Sequence, residues 1–216
     1  ANLPQLEALL LGQAGLLPAE ATDEYTQLLQ REYHFLKGKY NLQPVVVPVH
    51  FLRMRPPNFP TVRLAQLAAL IFGTEHLFSK IMEAADVNKV KECLQVTPGD
   101  YWHTHYRPGE PSAYSKKTIG AAMIDNIIIN TIAPTLFAYG LYHGKETLKE
   151  KAINWLQALP AEANKITNGF KTLAVDNPTA FDSQALIELK NEYCNYRRCL
   201  QCAVGNALLK KWNTNT

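Results

Sequence analysis

Between Ile119 and Leu141 the chain carries its longest apolar run, broken at Asp125, Asn126, Asn130 and Pro134. A run of that length is too long for one strand and long enough to cross a bilayer as a helix. A carboxylate and two amides held in hydrocarbon would be costly, so the run is expected to be a buried core helix and no membrane partner is expected. The helical pattern extends from Lys116 to about Tyr142. Proline has no N–H to donate and its ring meets the carbonyl four residues back, so Pro134 should kink this helix at about Asn130. A helix apolar on most of its circumference needs other helices to cover it, and the rest of the chain reads as those helices.

Leu3 to Leu17 places Leu6, Leu9, Leu10, Gln13 and Leu17 near helical spacing and stops at Gly15 and Pro18. A second helix runs from about Thr22, where Thr22 and Asp23 can cap, to Lys39, with Tyr25, Leu28, Leu29, Glu32, Phe35 and Leu36 on one face and Gly38 and Asn41 ending it. The two form a hairpin over residues 1–41. Gln43 to Phe51 is β-branched but contains Pro44 and Pro48, so a short extended segment or edge strand is expected there. Pro56, Pro57 and Pro60 forbid helix before Thr61, and Pro60 suits the first position of the helix that follows to Phe72. Shorter helices are expected over Glu75–Ala84 and Val87–Leu94, the latter capped by Asp86. Beyond the long core helix, Lys145–Leu159 turns Leu148, Ala152, Trp155, Leu156 and Leu159 inward. Helices over 161–174, 179–192 and 198–212 complete an all-α, irregular multi-helix domain. It is expected as one unit over 1–212 (hairpin 1–41, core 53–212), with a disordered tail at 213–216.

The net charge of +3 is too small to identify a polyanion-binding protein, because such a footprint is a local patch and not a sum. Four cysteines in 216 residues are no disulfide framework; with Cys93 apart and three crowded near the end, they read as reduced thiols of a cytoplasmic protein. No basic-then-apolar leader precedes the first helix, and a chain that opens at Ala1 within a helical pattern is expected to be a fragment.

Five groups of residues can carry chemistry or bind a partner. Cys199 and Cys202, three apart, would share one face of a helix, with Cys194 a turn earlier. Thiolates so placed suit zinc or an iron–sulfur cluster, with Cys93, His103 or His105 as a fourth ligand, or else they pack as small hydrophobes beside Leu200 and Ala203. His103 and His105, among Tyr101, Trp102 and Tyr106, would face the same way in a strand and could take a metal or a phosphate; the plainer reading is an aromatic loop over the core. Arg55, Asn58 and Arg63 surround a proline-stiffened helix start, which attracts anions, although Arg63 can equally bind its own preceding loop. Asp125, with Asn126 and Asn130, is expected to bond to backbone freed by Pro134 or to Gln184 or Asn164, since buried polar groups must be paired. Arg197 and Arg198, with Lys190, Lys210 and Lys211, form a basic stretch beside the cysteines that can face nucleic acid or simply solvent. Phosphate loops, dinucleotide fingerprints, nucleophile elbows and zinc-protease helices are absent from the sequence.

The segments Arg55-Pro56-Pro57-Asn58-Phe59-Pro60-Thr61-Val62-Arg63-Leu64-Ala65-Gln66-Leu67-Ala68, Leu159-Pro160-Ala161-Glu162-Ala163-Asn164 and Asp182-Ser183-Gln184-Ala185-Leu186 occur in that order. With the ending Cys194-x4-Cys199-Leu200-x-Cys202-x-x-Gly205-Asn206, they resemble the C-terminal half of the bacterial DUF2851 family, typical of Bacteroidetes, from about Arg53 to Leu209. The resemblance implies no established activity. It implies a nuclease-like N-terminal half whose acidic and histidine motifs do not lie in this chain. The expectation is therefore a non-catalytic helical module that binds nucleic acid or a protein partner for that half. Two alternatives are a metalloprotein with a Cys-ligated zinc or iron–sulfur centre, and an enzyme that brings Asp125, His103 and Arg63 into one pocket.

Overall fold

The computed structural model describes residues 2–51, 55 and 58–213. Pro56 and Pro57 of the expected turn and tail residues 214–216 lie outside the described residues, as do the side chains of Lys210 and Lys211. The chain is helical almost throughout, with one two-stranded sheet among the described residues. Its contacts gather into two compact units, residues 1–124 and 125–216.

In the first unit, α1 (Leu3–Gln13) starts at a capping box: Asn2 accepts from the Gln5 N–H while the Gln5 side chain accepts from the Asn2 N–H. α2 (Glu24–Tyr40) is capped by Asp23, which accepts from the Thr26 N–H at 2.7 Å, and it ends where Asn41 turns left-handed. The two form the expected hairpin, but the expected face of α1 needs correction. Its buried residues are Glu7, Ala8, Leu11 and Gly12, whereas Leu6, Leu9 and Leu10 are half-buried. The cause is close packing: the ring of Tyr33 on α2 occupies the space that a Cβ on Gly12 would need. Small residues, not the largest ones, therefore face the partner helix.

α3 (Pro60–Gly73) begins at Pro60, as its missing N–H allows. It packs on α1, and Ala8, Leu11, Leu29, Ala65 and Trp102 make the core, with Tyr25, Tyr33 and Leu64 against it. α4 (Leu77–Glu83) and α5 (Val87–Leu94) follow, the second capped by Asp86 as expected. Residues 43–51 form no strand and bend at 46–47; the Val45 N–H donates to Gln13 O at 2.9 Å. A short helical turn, Asp100–Thr104, leads into β1 (His105–Arg107), which pairs antiparallel with β2 (Glu110–Pro111) across Gly109, whose φ is 78°. Lys117 holds this loop: its ammonium is buried, donates to Ser115 O at 3.0 Å and His103 O at 3.3 Å, and lies 3.9 Å from the Tyr106 ring.

The expected buried core helix starts later than Lys116, is not uniform and buries only a third of its most apolar stretch, which by length and composition alone could cross a membrane. α6 (Ala121–Ile127) passes through a π-helical turn, Ile128–Ile132, into α7 (Ala133–Tyr142). The extra residue in that turn is how the chain admits Pro134, which cannot donate to Asn130 O in an α-helix. The disturbance therefore falls where the sequence puts it. In the second unit, Ile128, Ile129, Ile132 and Leu136 are buried, with Ala152 and Trp155 of α8 (Glu146–Ala158). Gly140 lets α8 approach: a Cβ there would stand 3.0 Å from Lys145 O. α9 (Lys165–Thr172), α10 (Ala180–Glu188) and α11 (Ala203–Asn213) complete this unit.

Candidate functional site

A concave site of the second unit is a groove between α9 and a second π-helical turn, Leu189–Cys194, that prolongs α10. Asn164 starts α9 with a capping box, accepting from the Ile166 and Thr167 N–H groups at 2.9 and 3.0 Å. With that start fixed, Ile166, Phe170 and Leu173 line one side of the groove, and Lys190, Asn191, Cys194 and Asn195 line the other. The π turn matters because one more residue per turn changes which side chains reach a given face. The cavity measures about 560 Å³. Its lining includes Lys165 and Lys190, two asparagine amides and no carboxylate. The lining combines apolar side chains with two lysines, two asparagine amides and the Cys194 thiol.

Beyond the groove the chain reverses at Arg197, which is left-handed with φ 54° and donates its N–H to Cys194 O at 3.1 Å. Arg197 and Arg198 are both exposed, and the Arg198 guanidinium lies 5.0 Å from the centre of the exposed Tyr196 ring. From Lys165 onward the chain has seven Lys or Arg against four Asp or Glu, while residues 1–164 carry fifteen of each. The positive surplus thus lies after residue 164, and Lys210 and Lys211 near the end of the chain account for two of its three charges.

The cysteines do not sit as a helical reading requires. Residues 195–202 form turns, so Cys199 and Cys202 precede α11 instead of sharing one of its faces. Cys202 is buried, Cys194 and Cys199 are exposed, and Gly205 packs against the Cys199 carbonyl. Among the described residues no three His, Cys, Asp or Glu side chains come close enough together to hold a metal ion.

The other expected groups are engaged locally. Arg63 donates to Asn58 Oδ1 at 2.6 Å and to Gln66 Oε1 at 2.8 Å, while Arg55 is exposed and its carbonyl receives the Asn58 N–H. Arg63 therefore braces the turn before α3, and burial lowers its pKa from the usual guanidinium value. His103 lies in the helical turn and His105 opens β1, so the strand geometry that would align their rings is absent. His105 stacks on Tyr101 with ring centres 3.9 Å apart, and its Nδ1 lies 2.9 Å from Tyr101 O. His103 packs edge-on to Tyr114. Asn126 and Asn130 are exposed and not buried, with Asn130 donating to Asn126 O at 3.1 Å; Asp125 is half-buried. Gln184 donates to Glu162, and Asn164 caps α9.

A polar network in the first unit gave no signal in the sequence. Glu7 is wholly buried on α1 and accepts from Trp102 Nε1 at 2.9 Å and Tyr25 OH at 2.8 Å. Burial pushes its carboxyl above the usual range, against the pull of those two donors, and burial beside Glu7 likewise raises the Tyr25 phenol. Tyr101 stacks on Tyr25, donates to Asp23 Oδ2 at 2.9 Å and accepts from the Gly109 N–H at 2.8 Å. Partial burial would raise the Asp23 carboxyl, but hydrogen bonds from Thr26 and Tyr101 outweigh it and hold the pKa down. None of these residues lines the cavities found, so the network ties α1, α2 and the aromatic loop together. A glutamate among leucines could be placed on the buried face only after Gly12 and Ala8 were known to face α2. Of the groove residues, Lys190 and Cys194 were singled out from sequence; Lys165 and Phe170 were not, since which side of α9 meets the turn at Leu189–Cys194 leaves no pattern in sequence.

A profile of the DUF2851 family, described as a protein of unknown function, matches residues 1–165. The proline-rich segment and Leu159–Asn164 fall within that span, and the Asp182 and cysteine motifs lie beyond it. No curated protein and no solved structure matches.

Proposed function

The chain belongs to the DUF2851 family of proteins of unknown function, and from that premise we propose that it is a non-catalytic helical module whose working surface is the groove between α9 and the turn at Leu189–Cys194. In this reading it is the C-terminal accessory part of a longer cytoplasmic bacterial protein and holds an anionic partner for the rest of that protein. The observation that carries the reading is the lining itself: Lys165 and Lys190 over an apolar floor, with no carboxylate to neutralise them. Two ammonium groups on an apolar cavity attract negative charge, and the exposed Arg197 and Arg198 follow it closely in the chain.

Heparin, a polyanion without aromatic groups, tests the electrostatic part. Lys165→Glu/Lys190→Glu should elute from a heparin column at clearly lower salt than the unaltered chain. Lys80→Glu/Lys116→Glu, the same charge change at exposed sites of the first unit, should leave elution nearly unchanged. Equal losses from both pairs would show that net charge and not the groove governs retention, and would overturn the reading.

A further inference from the structure

We propose that the occupant of this groove is single-stranded nucleic acid, an inference that rests on the groove being the working surface. Single strands are held by two devices at once, a cationic track for phosphates and flat apolar surfaces on which unpaired bases stack. Both are present and adjacent. Phe170 is half-buried and lines the groove, so part of its ring is held by packing while part stays open to a base. Lys165 and Lys190 stand across it at the two walls, where successive phosphates of a strand lying along the groove would pass. Asn191 and Asn195 add amides, each a donor and an acceptor, which match the mixed edges of unpaired bases. Tyr196 is 64% exposed with the Arg198 guanidinium 5.0 Å above it, a second stacking platform just past the groove.

A duplex is disfavoured by the same features, because its base faces are hidden and the apolar floor would have nothing to receive. An acidic peptide is the competing occupant: it would satisfy the lysines and Arg198, but a peptide of acidic and aliphatic residues has no flat ring to stack on Tyr196. Charge complementarity admits both occupants, and the stacking surfaces select the strand.

Fluorescence anisotropy of the whole 216-residue chain would use three labelled probes: a fifteen-residue oligothymidylate, the same sequence as a duplex with its complement, and an alternating Glu-Leu peptide. The expected result is tighter binding of the single strand than of either other probe. In Lys165→Ala/Lys190→Ala the slope of log affinity against log salt should fall by about 1.4, two phosphate contacts at ~0.7 each. Tyr196→Ala, at an exposed position that the fold does not need, should weaken the strand roughly 5- to 100-fold and leave the peptide unaffected. Phe170→Ala should act likewise, with the melting temperature measured alongside to set aside any loss of folding. Peptide binding that depends on the lysines, without strand binding, would overturn the nucleic-acid assignment and keep the groove. Binding of none of the probes would overturn both, and equal binding of strand and duplex, insensitive to Tyr196→Ala, would overturn the stacking argument.

Discussion

Replacing Glu7 by alanine removes the acceptor shared by Trp102 Nε1–H and Tyr25 OH. Trp102 is fully buried, so its indole N–H cannot turn to water, and an orphaned buried donor costs ~1–3 kcal/mol. Tyr25 is half-buried and its hydroxyl can recover a water, so its share is smaller. The emptied volume adds about 1 kcal/mol, offset in part because a buried carboxyl whose Oε1 has no hydrogen-bond partner is removed. The sum is about 2–4 kcal/mol. Glu7→Gln keeps an acceptor for both donors and should cost less, by at least ~1 kcal/mol. Urea unfolding followed by far-UV circular dichroism reads the difference: with m of ~2 kcal/mol/M, the alanine midpoint falls by roughly 1–2 M. The pH dependence gives an independent check. Because the folded state holds the Glu7 proton more tightly than the unfolded state, this group's contribution is complete below its unfolded value, 4.5, and is lost as pH rises through the raised folded value. The stability of the unaltered chain relative to Glu7→Gln should therefore decline with rising pH from that point. An alanine cost below ~1 kcal/mol, or a pH-independent difference between unaltered chain and Glu7→Gln, would refute the account of a strained, buried acid.

Gly12→Ala should destabilise the first unit by ~1–3 kcal/mol, since its methyl would occupy the space of the Tyr33 ring; Tyr33→Leu in the same chain should recover part of the melting temperature. Lys117→Met keeps the buried stem but removes the ammonium that ties His103 O and Ser115 O, and should cost about 2 kcal/mol in the same denaturation experiment. Asp23 works opposite to Glu7: its lowered carboxyl contributes above its unfolded value and loses that contribution as pH falls through the folded value, so Asp23→Asn should flatten the acid limb of the stability profile. A thiol reagent should modify Cys194 and Cys199 quickly in the folded chain and Cys202 only after denaturant is added; simultaneous reaction of all of them would contradict the packing of the turn at 199–202.

How far the sequence reaches differs between its elements. Spacing and caps are local, so the hairpin of α1 and α2, the Asp23 and Asp86 caps, the start of α3 at Pro60 and the disturbance ahead of Pro134 were all legible. Family membership was legible too, because it rests on an ordered series of residues. What each helix buries was less so. Leu6, Leu9 and Leu10 outweigh Gly12 on any hydrophobic scale, yet only a small residue lets α1 approach Tyr33, and that approach carries Glu7 inward beside Trp102. The cysteines show the same limit, since three positions along a chain put two thiols on one face only if the chain there is a helix, and residues 195–202 are turns. The groove lies furthest from the sequence. Its walls meet from α9 and from a π turn some twenty residues later, and the extra residue in that turn decides that Lys190, Asn191 and Cys194 face Phe170. The sequence alone determined a helical chain of this family, with its surplus cations gathered toward its end. Which of those cations share a cavity was decided by packing between segments distant in sequence, where local periodicity carries no information.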